Sequence, residues 1–562
     1  MTMRQMMKWL AAIALLLCAE TANATIYTVH PTDSPTTIYN TIQNALCGDT
    51  VNINAGTYSV ANGNGELIHI SGKACNSGTV LLIQASDQTN KPLFDYTGTP
   101  LDGGPGECNT TVVPHSYTAS DFMRGAWQIV NSQYVTIDGI NIKGATACTQ
   151  SSVAGIRYVT NADHITIRRC TFQQNWDGMF GSGTNILVEL NNFISNGNYS
   201  EDQEHQYYDA GGDQLTIRYN VFLGNGGVSA LDIGTGSDTC CMQTSGVPTN
   251  GTGGGQNLHS RSWDQLVYGN WFQDGRDYEW DMSAPNPAFA PGGVTTDMYQ
   301  KWYGNVVVTS VNPQNPTKVM AFTGYNVTYG TGGEPGLTMH LDAQWNTFYI
   351  RYNAGTNATC LGDSHTAQCY QFAVFQLNNF TSGSGSLNGG TCASGFPDCN
   401  ALGAIALHYA NNILYFVHSV TSYQHSLLTV PGNGGNTWTV TGKNNWFGAP
   451  DLTGVINICA TPLSTWNGTC SLTSSTNIVT ASPPFSNLST LQLWPNAAGA
   501  FGSADTTQTL KSPQAYYTPV ELLSLSTYVD EGALQFGVVP GASAPAAPSA
   551  PAAPTSLHAT VQ

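Results

Sequence analysis

One motif returns along most of the chain and limits what it can fold into. It is a short β-type run, a polar residue, one further residue and an apolar one. It reads Ile165-Thr-Ile-Arg-Arg-Cys170-Thr-Phe172, then Ile186-Leu-Val-Glu-Leu-Asn191-Asn-Phe193, then Leu215-Thr-Ile-Arg-Tyr-Asn220-Val-Phe222. Shorter copies are Leu266-Val-Tyr-Gly-Asn270-Trp-Phe272, Tyr303-Gly-Asn305-Val-Val307, Trp345-Asn346-Thr-Phe348, Leu377-Asn378-Asn-Phe380, Ala410-Asn411-Asn-Ile413 and Lys443-Asn444-Asn-Trp446. An earlier relative, Val135-Thr-Ile-Asp-Gly-Ile140-Asn-Ile142, lacks the Asn. From Cys170 the polar position recurs after 21, 29, 50, 35, 41, 32, 33 and 33 residues. A short minimum repeat with variable insertions describes a solenoid whose coils carry loops. Alternation within the runs places Leu215 and Ile217 inside and Thr216 and Arg218 outside. An Asn held at one corner of every coil can stack on the next and bond its amide to the bending backbone. Cys170 stands in that corner, so a buried thiol is expected there. Arg168, Glu189 and Arg218 share one outward position in successive coils and are expected to form a surface ion-pair ladder.

The two ends read differently from the repeat. Arg4 and Lys8 precede a short apolar run from Trp9 to Cys18, and Ala22-Asn23-Ala24 is a small-x-small cleavage site, so residues 1–24 are expected to be an export signal. Leu17 before Cys18 does not suit a lipid anchor, and no later segment is long and apolar enough to span a bilayer. From Gly537 the chain becomes rich in Pro and Ala, giving a semi-rigid tail over 537–562. Its last residues, Pro554-Thr-Ser-Leu-His-Ala-Thr-Val-Gln562, resemble the first strand of a fibronectin type III module. A single repeat domain over 25–536 remains between the two ends.

The composition narrows the partners. Charged residues are only 9% of the chain while apolar residues keep 41%, so the surface is built from amides, hydroxyls and backbone rather than from charge. A net charge of −18 with 17 Lys and Arg argues against nucleic acid or an anionic membrane, and against a strongly polyanionic substrate unless a cation bridges the two. Thirteen cysteines follow the signal. Four close pairs are expected as loop-pinning disulfides: Cys47 with Cys75, Cys360 with Cys369, Cys392 with Cys399, and Cys459 with Cys470. Cys108, Cys148, Cys240 and Cys241 could supply two more.

The coil pattern, together with Ile38-Tyr-Asn-Thr-Ile-Gln-Asn-Ala-Leu-Cys-Gly-Asp49-Thr-Val-Asn-Ile-Asn-Ala-Gly56-Thr-Tyr58, resembles the right-handed parallel β-helix superfamily of pectate lyase-like proteins. The resemblance covers roughly residues 25–536. It implies an all-β, right-handed parallel β-helix solenoid with a short N-terminal helix as cap, since the end of an apolar solenoid needs covering. The fold hosts lyases, hydrolases, isomerases and non-catalytic spikes, so activity must come from a site.

Insertions are where function would be placed, and the longest lies between Asn220 and Asn270. Around it the scarce charges gather in Glu201 to Asp209, in His259-Ser-Arg261-Ser-Trp263-Asp264 and in Asp274-Gly-Arg276-Asp277-Tyr278-Glu279-Trp280-Asp281. β-Elimination on a uronic acid needs a neutralised carboxylate, a base for the C5 proton and an acid for the leaving oxygen. His205, Tyr208, His259 and Arg261 are the candidate catalytic residues, with Tyr207 beside them. Asp209, Asp274, Asp277 and Glu279 are candidate calcium ligands. Trp263 and Trp280 are candidate sugar-stacking rings and Arg276 a binding residue, whereas Trp271 and Trp302 suit packing between coils. His259-Ser-Arg-Ser-x-x-x-Leu-x-Tyr-Gly-Asn270 resembles the Lys-Ser strand of calcium-dependent alginate lyases, with the family's lysine not matched. The galacturonase motifs Gly-His-Gly and Arg-Ile-Lys are missing, and Asn175-Trp-Asp177-Gly178 stands alone. An inverting hydrolase would draw its two carboxylates from Asp177, Asp209 and Asp232. The leading expectation is therefore a secreted polysaccharide lyase. The rivals are a stiff adhesive surface protein and a glycan-binding module without turnover.

Overall fold

The computed structural model describes residues 24–59, 68–97, 125–145, 153–197, 205–224, 256–273, 275, 280–282, 297–309, 318–324, 338–352, 371–379, 404–418, 424–429, 437–448, 467–472, 478–480, 485–487, 492–495, 504, 506–525 and 532–533. Within them the chain winds as a right-handed parallel β-helix. Three parallel sheets, here sheets A, B and C, contain 13, 12 and 10 strands among the described residues. One coil shows the plan: Thr166–Arg168 lies in sheet A, Thr171–Gln173 in B, Asp177–Thr184 in C, and Leu187–Glu189 begins the next coil in A. The interior is filled by like residues in register. In sheet B, Phe172, Phe193, Phe222 and Phe272 stack with ring centroids 5.0, 4.7 and 4.7 Å apart. The helix Pro35–Asn44 starts at Ser34, whose hydroxyl accepts from the Thr37 amide, and sends Ile38 and Ile42 into the same core.

The corner between sheets A and B is held by the amide column. The side-chain oxygen of Asn191 accepts from the Cys170 amide, and the chain of contacts continues through Asn220, Asn270, Asn305, Asn346, Asn412 and Asn445. Each Asn amide nitrogen also donates across the corner, as Asn270 does to the carbonyls of Ile217 and Tyr268. The residue before each corner is left-handed, including Arg169, Leu190, Tyr219 and Trp345 at φ 54, 58, 55 and 57°. Such a conformation costs an ordinary side chain about 1–2 kcal/mol, and the ladder offsets it by bonding the groups the bend exposes.

Two expected corner positions need correction. Asn378 is not a corner, because it lies within the sheet C strand Gln371–Asn379, and the coil from Asn346 to Asn412 spans 66 residues. At the last two coils the ladder residues are Asn412 and Asn445, one place later than read, while Asn411 and Asn444 take the left-handed site at φ 57 and 55°. Asn suits both places, which is why an Asn-Asn pair misleads. The expected ion-pair ladder is present only in part: Arg218 meets Glu189 at 2.6 Å, but Arg168 turns with Arg169 to Asp138 on the preceding strand, and both carboxylates are buried rather than on the surface. Cys47 and Cys75 are bonded, and Cys170 is a buried thiol pushed up to about 12 by burial. The export signal, the tail after 536 and the remaining expected disulfides lie outside the described residues. No described helix is long and apolar enough to cross a membrane.

After the last coil the chain runs back along the outside of sheet B. Phe485, Leu493, Ala515, Tyr516, Leu525 and Ala533 cover a second apolar cluster that includes Trp271, Val306, Trp345, Tyr415 and Trp446. This strap is pinned at two points: the Tyr516 hydroxyl donates to the Tyr219 carbonyl at 2.8 Å, and the Ala533 amide donates to Thr347 Oγ1 at 2.9 Å. Its Ser512 fits a notch left by two left-handed glycines, where a Cβ on Gly269 or Gly304 would lie 2.8 or 2.6 Å from the serine side chain. Composition alone gives no sign of this arrangement.

Asn270→Ala removes an amide that serves three coils, so we expect a loss of about 3–5 kcal/mol of stability, read as a lower urea midpoint. An unchanged midpoint would show that the column is ornamental. Deleting residues 485–562 should leave the sheet B aromatics bare, giving a chain that binds a hydrophobic dye and self-associates, measured by fluorescence and light scattering.

Candidate active site

The long strands of sheet C carry the candidate residues. In His205–Asp213, Tyr207 points into the core, where its hydroxyl meets that of Tyr158, and Tyr208 faces outward. Tyr208 is in register with Phe180 on one side and with His259 of Gln256–Ser260 on the other. The outward column therefore runs Gln128, Arg157, Phe180, Tyr208, His259.

Three of the four expected catalytic residues meet as rings. Tyr208 and His259 have centroids 4.5 Å apart at 88°, and His205 lies 4.9 Å from each. The fourth, Arg261, hydrogen-bonds the Tyr208 hydroxyl, which lowers the Tyr208 pKa against a larger opposing rise from burial. His259 keeps part of its surface exposed, but its Nε2 is buried. Burial, then the neighbouring His205 and Arg261, hold its pKa well below 6.5, so the imidazole is neutral at pH 7.

Beneath the cluster sits a group that the sequence offered through an isolated Asn-x-Asp-Gly and as a candidate hydrolase carboxylate, not as a partner of His205. Asp177 is fully buried. Its Oδ1 accepts from the His205 amide at 2.8 Å and lies 3.7 Å from His205 Nδ1. Its Oδ2 and both His205 ring nitrogens have no hydrogen-bond partner among the described residues. Burial raises the Asp177 pKa and His205 opposes the rise. Asn175, two residues earlier, has a different task. It joins Asn196 and Gln206 in a second amide column, between sheets B and C, that the repeat analysis did not find.

Other expected site residues fall elsewhere. Trp263 and Trp280 are buried in the core with 0% exposure, so neither offers a face to a sugar; their place among charged residues in sequence hid an inward-facing position in a strand or turn. Trp271 and Trp302 are packed away, as expected. Asp209 faces inward, where its Oδ2 accepts from Ser260, Ser262 and the Arg261 amide. That internal set does not fit a calcium ligand, and no three His, Cys, Asp or Glu side chains converge as a metal set among the described residues. Asp232, Asp274, Arg276, Asp277 and Glu279 lie outside the described residues.

No family model matches the chain, and no curated protein matches it. Solved structures similar to it include an alginate lyase from Paenibacillus sp. str. FPU-7, at 10% identity and TM-score 0.30 over 81% of this chain and 98% of that one. A rhamnogalacturonan lyase aligns at 12% identity and TM-score 0.34 over 83% and 92%. A family 28 exopolygalacturonase from Yersinia enterocolitica aligns at 13% identity and TM-score 0.27 over 82% and 78%.

Asp213, at the end of the Tyr208 strand, is only 6% exposed, and burial together with the Asp264 carboxylate raises its pKa to about 6. A carboxyl raised in the folded state favours folding while it is protonated, and that contribution disappears as pH climbs from its ordinary 3.8 through about 6. Melting temperature should therefore fall across this window more in the wild type than in Asp213→Asn, and the variant should be the more stable at pH 7. Parallel melting curves for the two proteins would contradict this assignment.

Proposed function

We propose that the chain cleaves a uronate-bearing polysaccharide by β-elimination on the outer face of sheet C. The observation that carries this reading is the in-register pair Tyr208 and His259, 4.5 Å apart, with Arg261 bonded to the tyrosine. Elimination needs a neutral base, and the depressed pKa of His259 supplies one. It needs an acid that still holds its proton at working pH, and burial of Tyr208 above its ordinary 10 supplies that. The C5 proton goes to the His259 imidazole, the C5–H electrons form the C4–C5 double bond, and the C4–O bond breaks as Tyr208 protonates the departing oxygen. Arg261 offsets the charge that builds on the sugar carboxylate as C5 loses its proton. His205 and Asp177 hold the pair from below. The reaction would take place outside the cell, which suits the expected export signal and the Cys47–Cys75 bond.

Incubation with alginate, polygalacturonate and rhamnogalacturonan, followed by the absorbance of unsaturated uronate, tests the reading. Tyr208→Phe should lower kcat by about 10²–10⁴ with little change in glycan affinity, and His259→Ala should do the same. Binding without any unsaturated product would point to a glycan-binding module instead. The pKa directions also fix the pH profile. His259 gains its proton only well below 6.5 and Tyr208 loses its own only above 10, so kcat/KM should stay level between those values. A steep fall near pH 6.5 would remove His259 as the base.

A further inference from the structure

The first strand of the solenoid starts one residue after the last residue of the expected export signal, Thr25 lying between them. Ala24 and Thr25 are exposed. The Thr25 nitrogen donates to Asp49 Oδ1 at 2.8 Å, and the Thr25 carbonyl accepts from the Thr50 amide at 2.9 Å. The parallel pairing of Ile26–Val29 with Thr50–Ile53 continues from that contact. Asp49 itself is 4% exposed. Its second oxygen accepts from the Leu46 amide at 2.7 Å, in the turn that follows the helix Pro35–Asn44. Lys73 stands near Asp49, with its Nζ on the Gln43 and Ala45 carbonyls at the end of the same helix. One buried carboxylate thus joins the first strand to the helical cap.

We propose that removal of the export signal after Ala24 turns the Thr25 nitrogen into an ammonium paired with Asp49, so that processing of the leader completes the N-terminal cap. An export peptidase would make the cut. The oxygen of a water bonds to the Ala24 carbonyl carbon, the C–N bond to Thr25 breaks, and both water hydrogens end on the Thr25 nitrogen, leaving a carboxylate and an ammonium. The strand pairing holds that nitrogen in place, so a neutral donor gives way to a charged one at the same position. A carboxylate taken out of water costs free energy that neutral amides offset only in part, and an opposite charge at hydrogen-bond distance offsets more of it. Other titratable groups on the elements packed against this strand are few. Thr50–Ile53 carries none and the helix carries only Tyr39, which leaves Asp49 and, beyond it, Lys73. A cut one bond earlier would carry the charge about 3.5 Å further along the chain and away from the carboxylate.

Export of the full chain from a secreting host, followed by mass spectrometry, should give Thr25 as the first residue of the product, and any other first residue would overturn the proposal. Acetylation of the α-amine, followed against pH, should show the proton leaving above about pH 9, against about 7.7–8.0 for an ordinary terminus. At pH 7.5 acetylation should be about tenfold slower than in Asp49→Asn. A second protein with one Gly added before Thr25 keeps Asp49, and its amine should titrate in the ordinary range; it decides the question alone if Asp49→Asn does not fold. Amide exchange in Pro35–Asn44 at pH 7 should be about tenfold slower in the processed protein than in the Gly-extended one. A proton bound more tightly in the folded state favours folding below about pH 8, and that contribution is lost as pH rises through about 9, so the two exchange rates should converge near pH 10. An ordinary titration of the processed terminus, or equal exchange in the two proteins at pH 7, overturns the proposal whether or not the chain cleaves a glycan.

Discussion

Every coil has to bend its backbone sharply and still leave no buried polar group unbonded. The Asn column from Asn191 to Asn445 meets that demand at the A–B corner, where one amide accepts from the coil before it and donates to carbonyls on either side. The gain is collective, because each amide completes its neighbour. It permits residues as bulky as Leu190, Tyr219 and Trp345 to hold a left-handed backbone. With the corners fixed, the register of all three sheets follows, and register is what brings side chains from distant parts of the chain to one face.

The same dependence explains what could be read from the sequence. The A–B corner announces itself in most coils, since its polar residue stands between two alternating runs. The B–C corner uses Asn175, Asn196 and then Gln206, and without a repeated flanking run those residues look like ordinary loop amides. Double Asn corners at 411–412 and 444–445 were legible as corners but not to the residue. Asn378 shows the opposite error, an Asn-Asn pair that sits at the end of a strand in a sheet C coil.

The site was legible in part for the same reason. His205, Tyr208, His259 and Arg261 were drawn together by charge and ring chemistry in a charge-poor chain, and sheet C does gather them. Trp263 and Trp280 were drawn in by the same logic and belong to the core, because which way a residue faces depends on the parity of its strand, and the ends of the Gln256–Ser260 and Trp280–Met282 strands carry no sequence marker. Arg157 and Phe180 share no local motif with these residues. Only the registers from Arg157 to Phe180 and from Phe180 to Tyr208 reveal that they adjoin the candidate pair.

The strap gives this solenoid a property that simple repeat proteins lack. Stacked coils contact mainly their neighbours in sequence, so such molecules can assemble from any starting point and shed terminal repeats without general harm. Here Tyr516 reaches back 297 residues to Tyr219, and Ala533 reaches 186 to Thr347. These are contacts of very high order, formed slowly and only after the residues that make them have been synthesised, long after the coils they bind. The central coils thus wait for a segment made long after them to seal their flank, and these parts mature together rather than turn by turn.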